Sequence, residues 1–327
     1  MTRNLARFAA SLVVLAVLGG AVPPAAAQDY PAKPIRFIVP VAPGGITDVA
    51  ARAAGDYIAR KGGQPVVIEN RTGAGGNIGM EMVAKSAPDG YTFGVSATTQ
   101  IAINPFVFKK MPYDPLNDLV PVAPIGEAPQ FLVTTAKIPA TTLQEFIAYA
   151  RKENGKLNYV SLGPGSTVHL GGVQFTRLAN VDMQPVQYRG AAPGISDLVA
   201  GNVHLISVGI APVKSLVEAG MLRVLAVGTP KRMSYLPDIP TAAEAGLPGY
   251  EVTTWFALFA PKGTPRPMVE WLNAAVREMN ADQAAVRRLT DVNIDPMHMT
   301  VDEFGAQVKA DAVRWEGIIR AAGLKPE

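Results

Sequence analysis

The hydrophobic pattern of this chain is built on a recurring unit. Ile35 to Val39 is an apolar run that breaks on Pro40, Pro43, Gly44 and Gly45, and apolar residues resume at helical spacing from Thr47. That order predicts a strand, a tight turn and a helix N-terminus. A second copy follows, with Pro65 to Asn70 as strand, Arg71 to Gly76 as turn and Asn77 to Ser86 as helix, and Tyr91 to Ser96 supplies a third strand. Residues 104–124 are rich in proline and poor in periodicity and predict a surface excursion, after which Phe131 to Thr135 restores a buried strand. A second series then predicts a helix capped by Thr141-Thr142, strands at Leu157 to Val160, Met183 to Tyr188 and Val203 to Val208, and helices at Val168 to Ala179 and Gly194 to Ala200. Leu222 to Val227 is a further strand. Strands and helices that alternate in this way imply an α/β fold with parallel strands and right-handed crossovers. The tail from Thr264 carries helical stripes, Met268, Leu272, Val276 and Met279 on one and Val301, Phe304, Val308 and Val313 on another, which need a sheet to cover. The expected division is therefore residues 28–128 plus 229–327 as one domain and 129–228 as the other, so that the chain crosses between them twice.

A length of 327 residues and a hydrophobic fraction of 48% allow two such domains. Residues 1–27 stand apart from them. Arg3 and Arg7 precede an apolar run from Phe8 to Val22, and Ala25-Ala26-Ala27 then offers the small residues that a signal peptidase accepts, which predicts export with cleavage after Ala27 to the periplasm. Loss of the two arginines lowers the net charge from +3 to +1, and no basic run interleaved with aromatics remains to bind nucleic acid. With no cysteine there is no disulfide, thiolate nucleophile or lipoprotein anchor. His169, His204 and His298 lack metal-ligand spacing.

The turns carry the candidate chemistry. A helix N-terminus leaves backbone N–H groups unpaired at the positive end of the macrodipole and holds an anion without a charged side chain. Gly44, Gly45 and Thr47 in the first turn, and Gly75, Gly76 and Asn77 in the second, lie at the same ends of neighbouring parallel strands and would face one cleft. Asp48 would repel an anion and instead orients the helix start. Gly73, Gly75, Gly76 and Gly79 resemble a dinucleotide fingerprint, but the frame finds Ile78 where glycine is required, and no Walker-type lysine follows, so no nucleotide cofactor is expected. A small carboxylate fits better. Ser166 precedes His169, yet Gly163 to Thr167 is not a nucleophile elbow, and Ser166 and Thr167 read as helix-capping residues with hydroxyls open to a ligand. Tyr188 and Arg189, at a strand end, offer an aromatic wall and a cation or, for Arg189, a solvated surface charge.

At these turns the sequence resembles the extracytoplasmic solute receptors of tripartite tricarboxylate transporters, the Bug family. The resemblance runs from Tyr30 to about Leu324 through YPAKPIRFIVP with APGGITD, QPVVIENRTGAGGNIG, APDGYTF, INPFVFKKMPYDP, YRGAAPGISDLVAGNV, LPDIPTAAEAGLPGYE and LFAPKGTP. It implies a type II periplasmic-binding-protein-like fold, with two α/β domains, a ligand cleft between them and a two-strand hinge, that hands a carboxylate to membrane permease subunits as a monomer. The implied site comprises Val41, Ala42, Gly44, Gly45, Thr47, Asp48, Gly75, Gly76, Asn77 and Thr98 on one side, and Ser166, Thr167, His169, Tyr188, Arg189 and Gly209 on the other. Relatives often carry phenylalanine at Val41 or Ala42, so this mouth is expected to be wider. Val208-Gly209 stands where relatives often place an acidic residue or asparagine, which favours a non-amino di- or aromatic carboxylate over aspartate or glutamate. A sensor that signals to a partner and a carboxylate-processing enzyme are the alternatives.

Overall fold

The computed structural model describes residues 30–163, 165–233 and 235–326, so the export signal and its cleavage site lie outside the described residues. The elements run β1 (Ile35–Val39), α1 (Ile46–Gly62), β2 (Val66–Asn70), α2 (Asn77–Ala84), β3 (Thr92–Ala97), α3 (Asn104–Val107), β4 (Leu119–Pro129) and β5 (Phe131–Thr135). They continue with α4 (Leu143–Glu153), β6 (Leu157–Ser161), α5 (Thr167–Ala179), β7 (Met183–Gln187), α6 (Ala191–Ala200), β8 (Leu205–Val208), α7 (Lys214–Glu218) and β9 (Leu222–Val227). The last are β10 (Thr253–Pro261), α8 (Arg266–Met279), α9 (Gln283–Thr290), β11 (Asp295–Pro296) and α10 (Val301–Ala321).

Two mixed sheets result, in the orders β11-β4-β10-β3-β1-β2 and β7-β6-β8-β5-β9. Within the first, β1 runs parallel to β2 and β3, while β10 is antiparallel to both β3 and β4. Within the second, β6 is parallel to β7 and β8, and β5 is antiparallel to β8 and β9. The all-parallel expectation thus gives way at β4, β5 and β10, the strands beside the crossings. The chain leaves the first sheet at Gln130 and returns after β9, and these two passages bond to each other: Gly228 N–H donates to Gln130 O, and Gln130 N–H to Val252 O, each at 2.9 Å. This is the paired crossing of a type II binding-protein fold.

The proline-rich stretch is a surface excursion only in its middle, residues 109–118, which are mostly exposed and form no helix or strand, and it is buried at both ends. Ile101, Ala102 and Ile103 are fully buried in a single π-helical turn, Asn104 is buried beside them, and Leu119–Pro129 is a strand between β10 and β11. It tolerates its prolines through bulges. The β10 register skips between Phe256 and Ala257 and between Leu258 and Phe259, opposite Pro124 and Pro121, so each ring sits where the ladder is already interrupted.

The tail divides between the two halves. Val301, Phe304 and Val308 at the start of α10 pack with first-sheet residues, whereas Ala312, Trp315, Ile318 and Ile319 join a cluster with Phe146, Leu170 and Phe175 of the second. Ala242, Leu247 and Tyr250 belong to that second-half cluster as well.

At the edge of this crossing, Glu127 on β4 faces Trp255 and Asp295 on its two neighbours. Burial, reinforced by the charge of Asp295, pushes its carboxyl up to about 7 against the opposing effect of Thr253 and Arg314. A carboxyl whose folded value is raised binds more protons in the native state, so stability is expected to fall as pH rises from about 4.5 to about 7. Denaturant midpoints measured across that window check this: Glu127→Gln should remove the slope, and an unchanged slope would refute the assignment.

Candidate functional site

The first turn is built around a buried carboxylate. Asp48, 1% exposed in the opening turn of α1, accepts from Gly44 N–H at 2.9 Å, from Arg52 Nε and Nη2 at 2.9 and 3.1 Å, and from Asn70 Nδ2 at 2.8 Å. Burial alone would raise its pKa, but the bonds from Arg52, Gly44 and Asn70 and the charge of Arg52 hold it below the usual carboxylate range. Asp48 therefore positions the turn. It also occupies the Gly44 N–H, while the Gly45 N–H turns back to Ala42 O at 3.3 Å. The donors left for an anion are those of the first helical turn, Ile46 to Asp48, which no side chain caps. Gly44 takes φ +82 with open space where a Cβ would stand, Ala42 is exposed, and Val41, half-buried, accepts from Asn70 Nδ2 through its carbonyl. Thr47 is buried at 4% exposure.

Asn70 couples this turn to the second, since it closes β2 and reaches back to the first. The second turn places Gly73, Gly75 and Gly76 at positive φ, and α2 likewise has no side-chain cap. Its carbonyls are pinned from behind: Gln100 Nε2 and Asn104 Nδ2 donate to Gly75 O at 2.9 and 3.1 Å, and Asn104 also donates to Asn77 Oδ1 at 2.7 Å. Asn77 is 1% exposed and Thr98 fully buried, the latter with Oγ1 accepting from Trp255 N–H. Asn77 is thus braced by Asn104 and Thr98 is tied to β10.

On the second sheet, Ser161 ends β6 and Gln187 ends β7, bonded to each other at 3.0 Å. The following turn is self-contained. Ser166 Oγ donates to Gly163 O at 2.8 Å and accepts from His169 N–H at 3.2 Å, so it caps α5 as expected and gives its one proton to the turn, with one lone pair left as acceptor. Thr167 is half-buried, His169 is 6% exposed, and burial lowers the histidine pKa. Tyr188 OH donates to Asp197 Oδ2 at 2.7 Å, and burial together with that bond pushes its pKa up to about 12. Arg189 is exposed with no ion pair among the described residues, Gly190 opens α6 without a side-chain cap, and Gly190 and Gly209 both front open space.

One short segment stands between the two halves of the site. A Cβ on Gly75 would lie 3.0 Å from Phe108 Cζ, and a Cβ on Gly165 would lie 3.3 Å from Val107 Cγ1, so turns from both sheets close on the end of α3.

Side chains of Thr142, Ser166, Asp282 and Thr300 cap α4, α5, α9 and α10, whereas α1, α2 and α6 at the turns and α7 and α8 elsewhere have no side-chain cap, although one would add about 1 kcal/mol of stability. Arg52, Asn70, Gln100, Asn104, Ser161 and Gln187 were not anticipated. Asn70, Ser161 and Gln187 share one signal, a hydrogen-bonding side chain at the last position of a parallel strand.

Comparison with known proteins places this architecture. The model of the tripartite tricarboxylate transporter family receptor matches residues 50–324. The chain belongs to this family. It is similar to Protein BugT of Bordetella pertussis, 34% identical over 323 residues, covering 98% of this chain and 99% of that one. Among solved receptors of this kind, an R. palustris protein with adipate shares 37% identity at a TM-score of 0.73, covering 91% of this chain and 100% of its own. MatC from Rhodopseudomonas palustris with bound malate shares 34% at 0.68, covering 89% and 100%. Receptors of this family are substrate-binding proteins, and their type II fold is the one described above.

Proposed function

We propose that this chain is a periplasmic receptor that captures a small non-amino carboxylate between its two sheets and delivers it to the membrane permease of a tripartite tricarboxylate-type transporter. The observation that carries this reading is the set of uncapped helix N-termini at the ends of β1 and β2, held open by Asp48 on one side and by Gln100 and Asn104 on the other. Each terminus contributes about 0.3–1 kcal/mol to a bound anion, up to ~2 when partly buried. Charge-assisted bonds add about 1.5–3 kcal/mol each. Less the cost of ordering, this supports micromolar affinity, near −8 kcal/mol. Adipate and malate in the two solved relatives are both dicarboxylates without an amino group, which agrees with the chemistry of the turns.

In this reading residues 28–128 with 229–327 form one jaw and 129–228 the other, with residues 242–250 and the end of α10 carried across onto the second. The jaws turn about the crossing at Gln130 and Gly228 and close on the ligand. Catalysis is not part of the proposal, because a receptor needs only to hold and release.

A thermal-shift screen of residues 28–327 against mono-, di- and tricarboxylates tests it. A ligand at a hundredfold its dissociation constant adds about 2.7 kcal/mol of stability. No shift from any carboxylate, before or after unfolding and refolding to strip a carried ligand, would overturn the proposal.

A further inference from the structure

The first sheet sets its crossing strands between two different edges. In the order β11-β4-β10-β3-β1-β2, the strands β4 and β10 have the glycine turns of β1 and β2 on one side and β11 on the other. The last helix crosses at the same place, since Asp311 Oδ2 of α10 accepts from Trp255 Nε1 of β10 at 2.8 Å and Arg314 Nη1 donates to Glu251 O at 3.0 Å. A rotation about these passages that narrows the side of the turns widens the side of β11. There a cavity of about 410 Å³ separates the halves, walled by Glu127, Asp295 and His298 from the first and by Thr229, Lys231 and Met233 from the passage after the second crossing. Met233 belongs to the apolar cluster of the second sheet.

Two carboxyl groups meet on the first-half wall. Asp295 stands directly opposite Glu127 in the antiparallel ladder, and β11 lies so close to β4 that a Cβ on Gly126 would come within 2.6 Å of Asp295 O. Like charges facing each other on one rung repel. The cations of the surroundings do not offset this: Arg314 is bonded to Asp311 and Glu251 and Arg232 to Glu244, while Lys231 and His298 are exposed and screened by water. From the second half, Tyr235 brings a buried hydroxyl without a hydrogen-bond partner near the pair, and burial and then the charges of Asp295 and Glu127 raise its pKa. For Glu127, burial and then the charge of Asp295 push the carboxyl up to about 7, with Asp311 adding to them and Thr253 and Arg314 opposing.

We propose that the Glu127–Asp295 rung is a proton-linked brake behind the hinge, which holds a proton while the cavity is narrow and releases it when the jaws close on a ligand and the widened cavity admits water. This rests on the two-jaw receptor reading and adds a coupling to it. Water returns the Glu127 carboxyl toward its usual value of 4.5, so the open protein binds more protons than the closed one. Capture of a ligand then expels a proton. Affinity therefore rises with pH between about 4.5 and about 7, by up to about tenfold per pH unit, and levels off above that range, where both states are ionised.

The test has two parts on the mature chain. Calorimetric titration with adipate and with malate at pH 7, run in phosphate and in Tris, reads the protons exchanged, because the buffers differ in heat of ionisation while both acids are already ionised. The native chain should release about half a proton per ligand bound, and Glu127→Gln none. Asp295→Asn removes the facing charge and should move the pH dependence of affinity to lower pH, a shift that a merely structural role would not produce. Net proton uptake, no exchange, or release that persists in Glu127→Gln would each overturn the proposal. The second part needs no ligand. The chain has no cysteine, so Ala219→Cys and Ala284→Cys, at exposed positions in the two halves, take spin labels selectively. Their distance distribution, measured by pulsed electron resonance from about pH 5 to about pH 8, should shift in the native background and stay fixed with Glu127→Gln. A distribution that ignores pH in the native background would overturn the proposal whether or not either acid binds. Failure of both acids to bind, with a distribution that still shifts through Glu127, would count against the receptor reading and leave the proton link standing.

Discussion

Asp48→Ala is expected to cost about 2–3 kcal/mol of stability and to abolish carboxylate binding. Removing one partner of a buried charge pair typically costs about 3–5 kcal/mol. The Arg52 side chain is 49% exposed and regains water, which sets the lower figure. Asn70 Nδ2 keeps Val41 O as a second acceptor, but the Gly44 N–H loses the partner that holds the turn open. Denaturant unfolding reads the first effect and calorimetry the second. The pH dependence gives a further check. The folded pKa of Asp48 lies below the usual value of 3.8, so its stabilising contribution is present above that value and is lost as pH falls through the folded one. The alanine variant should lack this acid-side loss. An Asp48→Ala protein that unfolds at the wild-type denaturant concentration would show that the turn does not depend on its carboxylate.

Trp315→Ala is expected to have the larger effect on stability, about 3–5 kcal/mol. Trp315 is fully buried among residues of the second-half cluster, on a helix that begins on the first sheet. Its Nε1 has no hydrogen-bond partner among the described residues, so Trp315→Phe gives up packing volume without breaking a bond and should cost far less. Thermal melts of the two variants distinguish packing from polarity. Equal losses for phenylalanine and alanine would mean that the indole nitrogen, and not the ring, secures α10.

The βα units were legible because each obeys a local rule. β1, β5 and β9 are short apolar runs bounded by turn residues, and their limits match the sequence reading to the residue for Phe131–Thr135 and Leu222–Val227. β4 was not legible, because Pro121, Pro124 and Pro129 argue against a strand, and only the bulges in its pairing with β10 accommodate the first two while Pro129 stands at the strand end. That information resides in the partner strand. The site divides in the same way. Glycine-rich turns at helix starts are legible from composition, so Gly44, Gly75 and Gly76 were placed at the turns where the structure has them. Gln100 and Asn104 were not, since they reach Gly75 across 25 and 29 residues of chain from a buried π turn with no periodicity to mark it. Ser166 was found for its capping role, but only the turn geometry shows that its one proton goes to Gly163 O.

The split allegiance of α10 also bears on the order in which the molecule can be assembled. The cluster beneath the second sheet is completed by Ala102 and Ile103 from before the first crossing and by Trp315, Ile318 and Ile319 from the last helix. Closing it requires contacts between distant parts of the chain, which are slow to form because a large loop must be ordered before they stabilise anything. Without α10 the second core therefore lacks Trp315, Ile318 and Ile319, however complete the earlier βα units are. The helix that packs against both halves is thus the C-terminal one of the described elements.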